Sequence, residues 1–510
     1  MFNSGLLLDD DIIAVSLNVY GTGDNVYYLL TGLTNSNVTT LTKFTGLPTG
    51  ITIVKIYVID SENAIALGSD GIVYGVGHNV FGQITEAAVV GSSFIPTVKT
   101  VYTPFTGLPG GVTAIGLYCF QYNTVVIGSD GVLYGTGRND YGQLTGVELS
   151  PIDGSALTIK TTLTAFTGLP GGVTAVKVYA MTNCIWVLGS DGVVYGSGSN
   201  ASGKLTGSGN RSTLTAFTGL PGGVTAVSIH PSTSDNTIVL GSNSLLYGTG
   251  SNSSGQLTGS GNKSTLTAFT GLPGGVTVAS VVCGSACTLV IGSDGKLYGT
   301  GNNSYSQLSS TGGKTTLTAF TGLPGGVTVS KVITSNYTVI VLGSDGLVYG
   351  CGRNNYGQLT GASTSDKTTL TLFTGLPGGV TAVSIYAQPS TTVVLGSDGV
   401  VYGTGLNTNS ILTGSGNKTT LTAFTGLPGG VTASKVYMYS LSSGGLSRYS
   451  IAILGSDGKL YGTGENPYGL LTGTAGVTKT TLTLMTGLPS GSVISDVITG
   501  YNETIVLLST

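Results

Sequence analysis

The chain has 510 residues, 85 of them glycine, with 8% charged residues and a formal net charge of −3. A charged fraction far below the usual ~25%, with no basic excess, gives no electrostatic reason to expect nucleic acid or an anionic membrane as a partner. At 40% hydrophobic residues the chain can bury a core, which excludes disorder, and its solubility rests on Thr, Ser, Asn and backbone.

The N-terminal stretch has no basic segment, and its apolar run stops at Asp9-Asp10-Asp11. It does not read as a signal peptide, and the acidic run reads as solvated surface. No window of ~18 apolar residues occurs, so no membrane insertion is expected. The sequence assigns no compartment, and composition leans only towards an extracellular surface or a virion.

Along the chain, Tyr-Gly-x-Gly recurs nine times, at Tyr20, Tyr74, Tyr134, Tyr195, Tyr247, Tyr298, Tyr349, Tyr402 and Tyr461, spaced by 51 to 61 residues. Phe-Thr-Gly-Leu-Pro, first at Phe44, alternates strictly with it; the ninth copy begins at Met485. One unit read from Leu317 contains four short apolar segments: Leu317–Phe320, Thr328–Ile333, Val339–Leu342 and Leu347–Tyr349. The last two flank Ser344-Asp345-Gly346, an Asp-Gly hairpin signal in which both turn residues tolerate positive φ. Nothing in the unit has a helical period. Four short strands per ~50 residues, repeated nine times, predict an all-β β-propeller of nine four-stranded blades in a single domain over residues 1–510. A parallel β-helix is the alternative, but its shorter rungs would not need a hairpin in every unit.

The ends are each part of a unit. Leu17–Tyr20 reads as a fourth strand and Thr504–Leu508 as a third, so joining them at Tyr20, Val506 and Leu507 would close the ring and remove two exposed edges. Ile12–Val15 also resembles a third strand, which leaves an unclosed head-to-tail filament as a second possibility. Three insertions, Glu86–Thr100, Val147–Lys160 and Leu441–Tyr449, break the regularity and are candidate binding loops.

From Val281 to Leu308 the sequence reads VVCGSACTLVIGSDGKLYGTGNNSYSQL. Cys283-Gly284, Thr288, Asp294-Gly295, Tyr298, Gly301-x-Asn303 and Gln307-Leu308 resemble the repeat of the regulator of chromosome condensation family, the RCC1-like repeat. Gly142-Gln143-Leu144, Gly255-Gln256-Leu257 and Gly357-Gln358-Leu359 repeat its final mark. The resemblance implies a propeller acting as a nucleotide-exchange factor or interaction scaffold. Departures are nine units where founding members have seven, Cys287 at a frequent His position, and the Phe-Thr-Gly-Leu-Pro block. Trp186 is the only tryptophan, which excludes the tryptophan cluster of the light-sensing branch.

Chemistry is sparse. Asp70, Asp130, Asp191, Asp294, Asp345, Asp398 and Asp457 recur in Gly-Ser-Asp-Gly and read as structural turns, with Asn243 in one copy. Gly-x-Gly-x-Asn is followed by no helix and is no dinucleotide loop. His78 and His230 lie in different units with no matched Ser or Cys, so no catalytic residue is expected. Cys283 and Cys287 have no second ligand pair and read as buried small hydrophobes; no metal or cofactor is expected. Nine Asn-x-Ser/Thr sequons matter only in a secretory pathway.

The function expected is non-enzymatic: a structural or protein-interaction propeller, as a surface, virion or fibre component, with a protein partner or self-association. The alternatives are an RCC1-like guanine-nucleotide exchange factor or adaptor for a small GTPase, and a propeller with glycan contact.

Overall fold

The run Val339–Leu342 is continuously apolar because its strand, Thr338–Gly343, is buried on both faces. In a computed structural model this strand sits second in an antiparallel sheet, Val329–Ser335, Thr338–Gly343, Val348–Gly352 and Lys367–Leu372. Nine such four-stranded blades form a ring: an all-β propeller whose only helices among the described residues are two three-residue 3-10 turns. The structure describes residues 17–510 except 31–35, 60–61, 86–88, 91–92, 95–96, 147–157, 285, 336, 362, 444–445, 501 and 510. We number the blades in chain order from the one that starts at Ile53, so the sheet above is blade 6.

The phase of the repeat differs from the sequence reading. Lys314–Ala319, which opens the unit as read from Leu317, pairs with Leu297–Gly301 and is the fourth strand of blade 5. The Phe-Thr-Gly-Leu-Pro block therefore joins blades and does not lie within one. The Thr338–Gly352 hairpin is the middle of its blade. Its turn also differs from the Asp-Gly expectation: only Gly346 has positive φ, and Gly343 to Leu347 form a wider loop closed by Gly346 N donating to Gly343 O. That is a type I turn followed by a left-handed residue, a standard longer hairpin connection.

Both ends of the chain meet in blade 9. Ile494–Thr499 and Glu503–Ser509 are its first and second strands; Leu17–Gly23 and Val38–Lys43 are its third and fourth. Tyr20 pairs with Val506 and Val19 with Leu507. The closing ladder lies within one chain, so these edges are not left for a head-to-tail filament. The N-terminal part gives two strands, not only a fourth; the third-strand resemblance of Ile12–Val15 lies outside the described residues.

The core is distributed between blades. Leu289, Leu297 and Leu308 of blade 5 pack with Val332, Val339, Val341 and Leu370 of blade 6, and the other joints repeat this arrangement. Each fully buried aliphatic side chain contributes about 1.5–3 kcal/mol. The first strands of neighbouring blades touch and surround the axis, while the fourth strands form the rim. Rim strands read Lys-Thr-Thr-Leu-Thr, with the Leu buried and most of the Thr exposed, which puts β-branched but uncharged residues on the surface.

Neighbouring blades are also joined by hydrogen bonds. At seven joints the Thr carbonyl of the Phe-Thr-Gly-Leu-Pro block accepts from the backbone N of the buried rim Leu of the next blade, as with Leu214 N to Thr167 O at 2.9 Å. The copy that begins at Met485 adds an eighth, Leu41 N donating to Thr486 O in the closing blade at 2.9 Å. On the inner side, Thr136, Thr249, Thr300 and Thr404 donate to loop carbonyls of the preceding blade at 2.7–2.8 Å.

Two of the insertions contain described strands. Val89–Val90 and Ser93–Phe94 pair with each other, and the Leu441–Tyr449 insertion falls where strands Ala433–Ser443 and Leu446–Gly455 pair as far as Ser443 with Leu446. Most of the second insertion, residues 147–157, and the Asp9–Asp11 run lie outside the described residues.

Candidate functional site

The most repeated polar residues hold the scaffold together. In each Ser-Asp-Gly turn the Asp Oδ2 accepts from the Tyr hydroxyl four residues on at 2.6–2.7 Å, and Oδ1 accepts from the backbone N two residues on. Asn243 keeps the arrangement by donating from Nδ2 to the Tyr247 hydroxyl at 2.8 Å. Burial, with the Asp hydrogen bond second, pushes the seven Asp-paired tyrosines up to about 12. The Gly-x-Asn-x-x-Gly-Gln-Leu loop is similar. In all nine copies the Asn Oδ1 accepts from the backbone N five residues later. These residues are committed to turns and loops, so candidate binding residues are those that differ between copies.

One group of differing residues lies on the face formed by the first-to-second-strand turns and third-to-fourth-strand loops. At each joint three positions meet there: a loop residue of one blade, and a turn residue and a third-strand end residue of the next. At the joint of blades 1 and 2 they are Phe81, Tyr122 and Arg138. The rings are 4.4 Å apart, and the Arg138 guanidinium carbon is 5.8 and 5.7 Å from them. At the joint of blades 5 and 6 the same positions hold Tyr305, Tyr337 and Arg353, with rings 4.6 Å apart and the guanidinium 5.1 Å from Tyr305. At the joint of blades 9 and 1 they hold Tyr27, Glu62 and His78; Tyr27 stacks on His78 at 4.7 Å, and Glu62 lies 3.0 Å from its Nδ1. At the other joints the same positions hold different combinations, from Ser254, Ala286 and Asn302 between blades 4 and 5 to Tyr356, Ser390 and Leu406 between blades 6 and 7, and none of these other joints has an Arg or His there. Arg138 also pairs with Asp140.

A second group lines the axis. The third residue of the first strand is Lys55, Lys177, Lys331 and Lys435 in blades 1, 3, 6 and 8, and Asp496 in blade 9. Two residues further on, and so on the same face of the strand, stand Tyr57, Tyr118, Tyr179, Tyr386 and Tyr437 in blades 1, 2, 3, 7 and 8. Lys55 Nζ lies 5.3 Å from the Tyr57 ring and 5.0 Å from the Tyr118 ring of the next blade. Lys177, Lys331 and Lys435 sit 4.9–5.9 Å from Tyr179, Tyr386 and Tyr437. Lys435 also pairs with Asp496 at 2.7 Å.

Two blocks of the chain, residues 278–307 and 329–358, match the family model described as the Regulator of chromosome condensation (RCC1) repeat. They are the first three strands and following loop of blades 5 and 6. Blades 5 and 6 of this propeller are RCC1-like repeats. Among solved structures, human WBSCR16 is similar at 17% identity over 74% of this chain and 99% of that one, with a TM-score of 0.46. Yeast RCC1 (Prp20), solved with Kap60 bound, is 14% identical over 98% of this chain and 90% of that chain, with a TM-score of 0.46. Prp20p from Saccharomyces cerevisiae, in a structure titled with its binding properties to Gsp1p and histones, is 14% identical over 98% and 93%, with a TM-score of 0.47.

In this propeller the histidines are placed differently from the sequence expectation. His230 does have a serine beside it: Ser228 Oγ lies 2.9 Å from its Nε2, because residues two apart on a strand share a face. Burial, and then the charge of Lys177, depress the imidazole to about 4. A base that must become imidazolium as it activates serine is thus disfavoured at this position. Cys283 and Cys287 end one strand and begin the next; burial pushes both thiols up to about 12, and all five cysteines are free. Among the described residues, no three His, Cys, Asp or Glu side chains gather as a metal site. Sequence reasoning passed over both the joint triads and the axial lysines. The signal was in the copies: Lys-x-Tyr at one offset in the first strand, and Arg or His straight after Tyr-Gly-x-Gly.

Proposed function

We propose that this RCC1-like propeller is a protein-interaction module, an adaptor or exchange factor for a small GTPase, that docks its partner on the joint face. The carrying observation is the contrast between that face and the rest of each blade. Turn, loop and clip residues repeat almost unchanged, whereas the joint positions vary from aromatic–arginine sets to Ser and Ala. Tyr and Arg are the residue types enriched where protein interfaces concentrate their binding energy. The two aromatic–arginine sets are four blades apart in a nine-blade ring, so a broad partner would meet both.

The experiment is release of a fluorescent GDP analogue from a panel of small GTPases, with surface binding measured in parallel. Accelerated release from one GTPase, weakened about tenfold or more by Arg353→Ala with Tyr337→Ala, supports an exchange factor. Binding without release supports an adaptor. No binding by any GTPase, or binding indifferent to the joint variants, removes this reading.

A further inference from the structure

We propose that the axial channel, at its mouth on the Ser-Asp-Gly-turn side, binds an extended acidic polypeptide segment. This site lies towards the face opposite the joint triads and does not depend on the reading given above.

Three observations converge on it. First, Lys55, Lys177, Lys331 and Lys435 stand at one level of the first strands in blades 1, 3, 6 and 8 of nine, so cations are spread around the ring of strands that surrounds the axis. At that level the remaining blades carry Gly116, Ser228, Ser280, Ser384 and one acid, Asp496, which pairs with Lys435. The chain as a whole has a net charge of −3, so the channel mouth carries a sign opposite to that of the molecule. A site with an excess of one sign of charge, four lysines against one Asp496, and low-dielectric walls focuses its field on a counter-charged ligand. Second, one residue nearer the mouth a bulge in the first strand turns apolar side chains outward. Ile115, Val176, Val227 and Val383 there are 56–63% exposed. Third, the tyrosines deeper in the channel give apolar rings with polar tips, at a level the lysine stems already cover.

This layering of apolar lip, cationic ring and tyrosines fits a chain whose carboxylates alternate with apolar side chains. Polyphosphate or single-stranded nucleic acid would use the cations but leave the exposed lip without a partner. It would also have to approach a molecule that is negative overall.

The test uses fluorescence polarisation of the full chain with four fluorescein-labelled probes: an alternating Glu-Leu peptide, its Lys-Leu counterpart, a polyphosphate and a single-stranded oligonucleotide. The Glu-Leu peptide is expected to bind saturably and to weaken as salt rises from ~50 mM to ~500 mM. The combined Lys55→Gln, Lys177→Gln, Lys331→Gln and Lys435→Gln variant is expected to lose at least about tenfold in affinity. Ser280→Glu, at an exposed position of the same ring, keeps every lysine and tests the field if the fourfold variant folds poorly; it should also weaken binding. Absence of saturable binding at ~1 mM peptide overturns the proposal. So does equal binding by the Lys-Leu peptide, or indifference to both variants. Tighter binding of polyphosphate or oligonucleotide overturns the assignment to a polypeptide.

Discussion

Three glycines of one joint measure how much the clip between blades contributes. Gly168, Gly171 and Gly172 lie between the fourth strand of blade 2 and the first strand of blade 3. A Cβ on Gly171 would meet nothing within 4 Å, and its backbone is ordinary. A Cβ on Gly172 is also in open space, but φ is +83°. A Cβ on Gly168, at φ +108°, would run into the Leu214 carbonyl and lie 2.7 Å from the Leu214 nitrogen, which donates to Thr167 O. Gly171→Ala should therefore leave stability within about 0.5 kcal/mol. Gly172→Ala should cost about 1–2 kcal/mol for its backbone alone. Gly168→Ala adds overpacking against backbone that cannot move aside, a further 1–3 kcal/mol or so, giving roughly 2–5 kcal/mol in total. The readout is the urea midpoint of Trp186 fluorescence. Trp186 is fully buried in blade 3 and donates to Thr237 of blade 4, so it reports on this part of the ring. Equal midpoints for Gly168→Ala and Gly172→Ala would refute the clip as a source of stability; equal midpoints for Gly171→Ala and Gly172→Ala would refute the backbone argument.

Other outcomes follow from the same geometry. Asp345→Asn should be tolerated within ~1 kcal/mol, as Asn243 is in its own blade, while Asp345→Ala, which strips the Tyr349 hydroxyl of its acceptor, should cost about 1–2 kcal/mol in a denaturant titration. His230 titrates near 4 when folded and near its ordinary value when unfolded, so the unfolded chain binds more protons between those limits. Stability should thus be full above about pH 6.5 and fall as pH drops towards 4; His230→Gln should flatten that slope in urea midpoints measured at a series of pH values. Burial works against the Asp457 carboxylate, but the Tyr461 hydroxyl and Lys459 outweigh it and hold its pKa below the ordinary value. Its contribution is present above the ordinary carboxyl range and lost in acid, so Asp457→Asn should alter only the acid limb. With burial holding Cys184, Cys283 and Cys287 near 12 and Cys119 and Cys351 higher still, a thiol reagent at neutral pH should label the native protein slowly and all five cysteines rapidly in denaturant.

The blade was legible because its determinants are local. Apolar runs of four to six residues, each bounded by glycine, place three of the four strands directly. Its phase was not, because Leu317–Phe320 looks the same whether it opens one blade or closes the one before; only pairing with Leu297–Gly301 decides. The turn was named correctly from Asp345-Gly346 but given the wrong geometry, since a primed turn and a wider loop share that dipeptide. The candidate surfaces were the least legible. Phe81, Tyr122 and Arg138 are far apart in sequence and meet only when two blades pack. Lys177 and His230 are 53 positions apart, and their influence on each other exists only around a shared axis.

The composite blade imposes an order on synthesis. Leu17–Gly23 is made about 480 residues before its ladder partner Glu503–Ser509. At ~5–20 residues per second, the opening strands wait roughly 25–100 seconds before that partner exists. Blades 1 to 8 can form in sequence meanwhile, each adding its buried face to the one before. During that interval the edge of Leu17–Gly23 that Glu503–Ser509 later covers can hydrogen-bond to any extended chain nearby. This opening edge therefore stays exposed to mispairing even after blades 1 to 8 have formed.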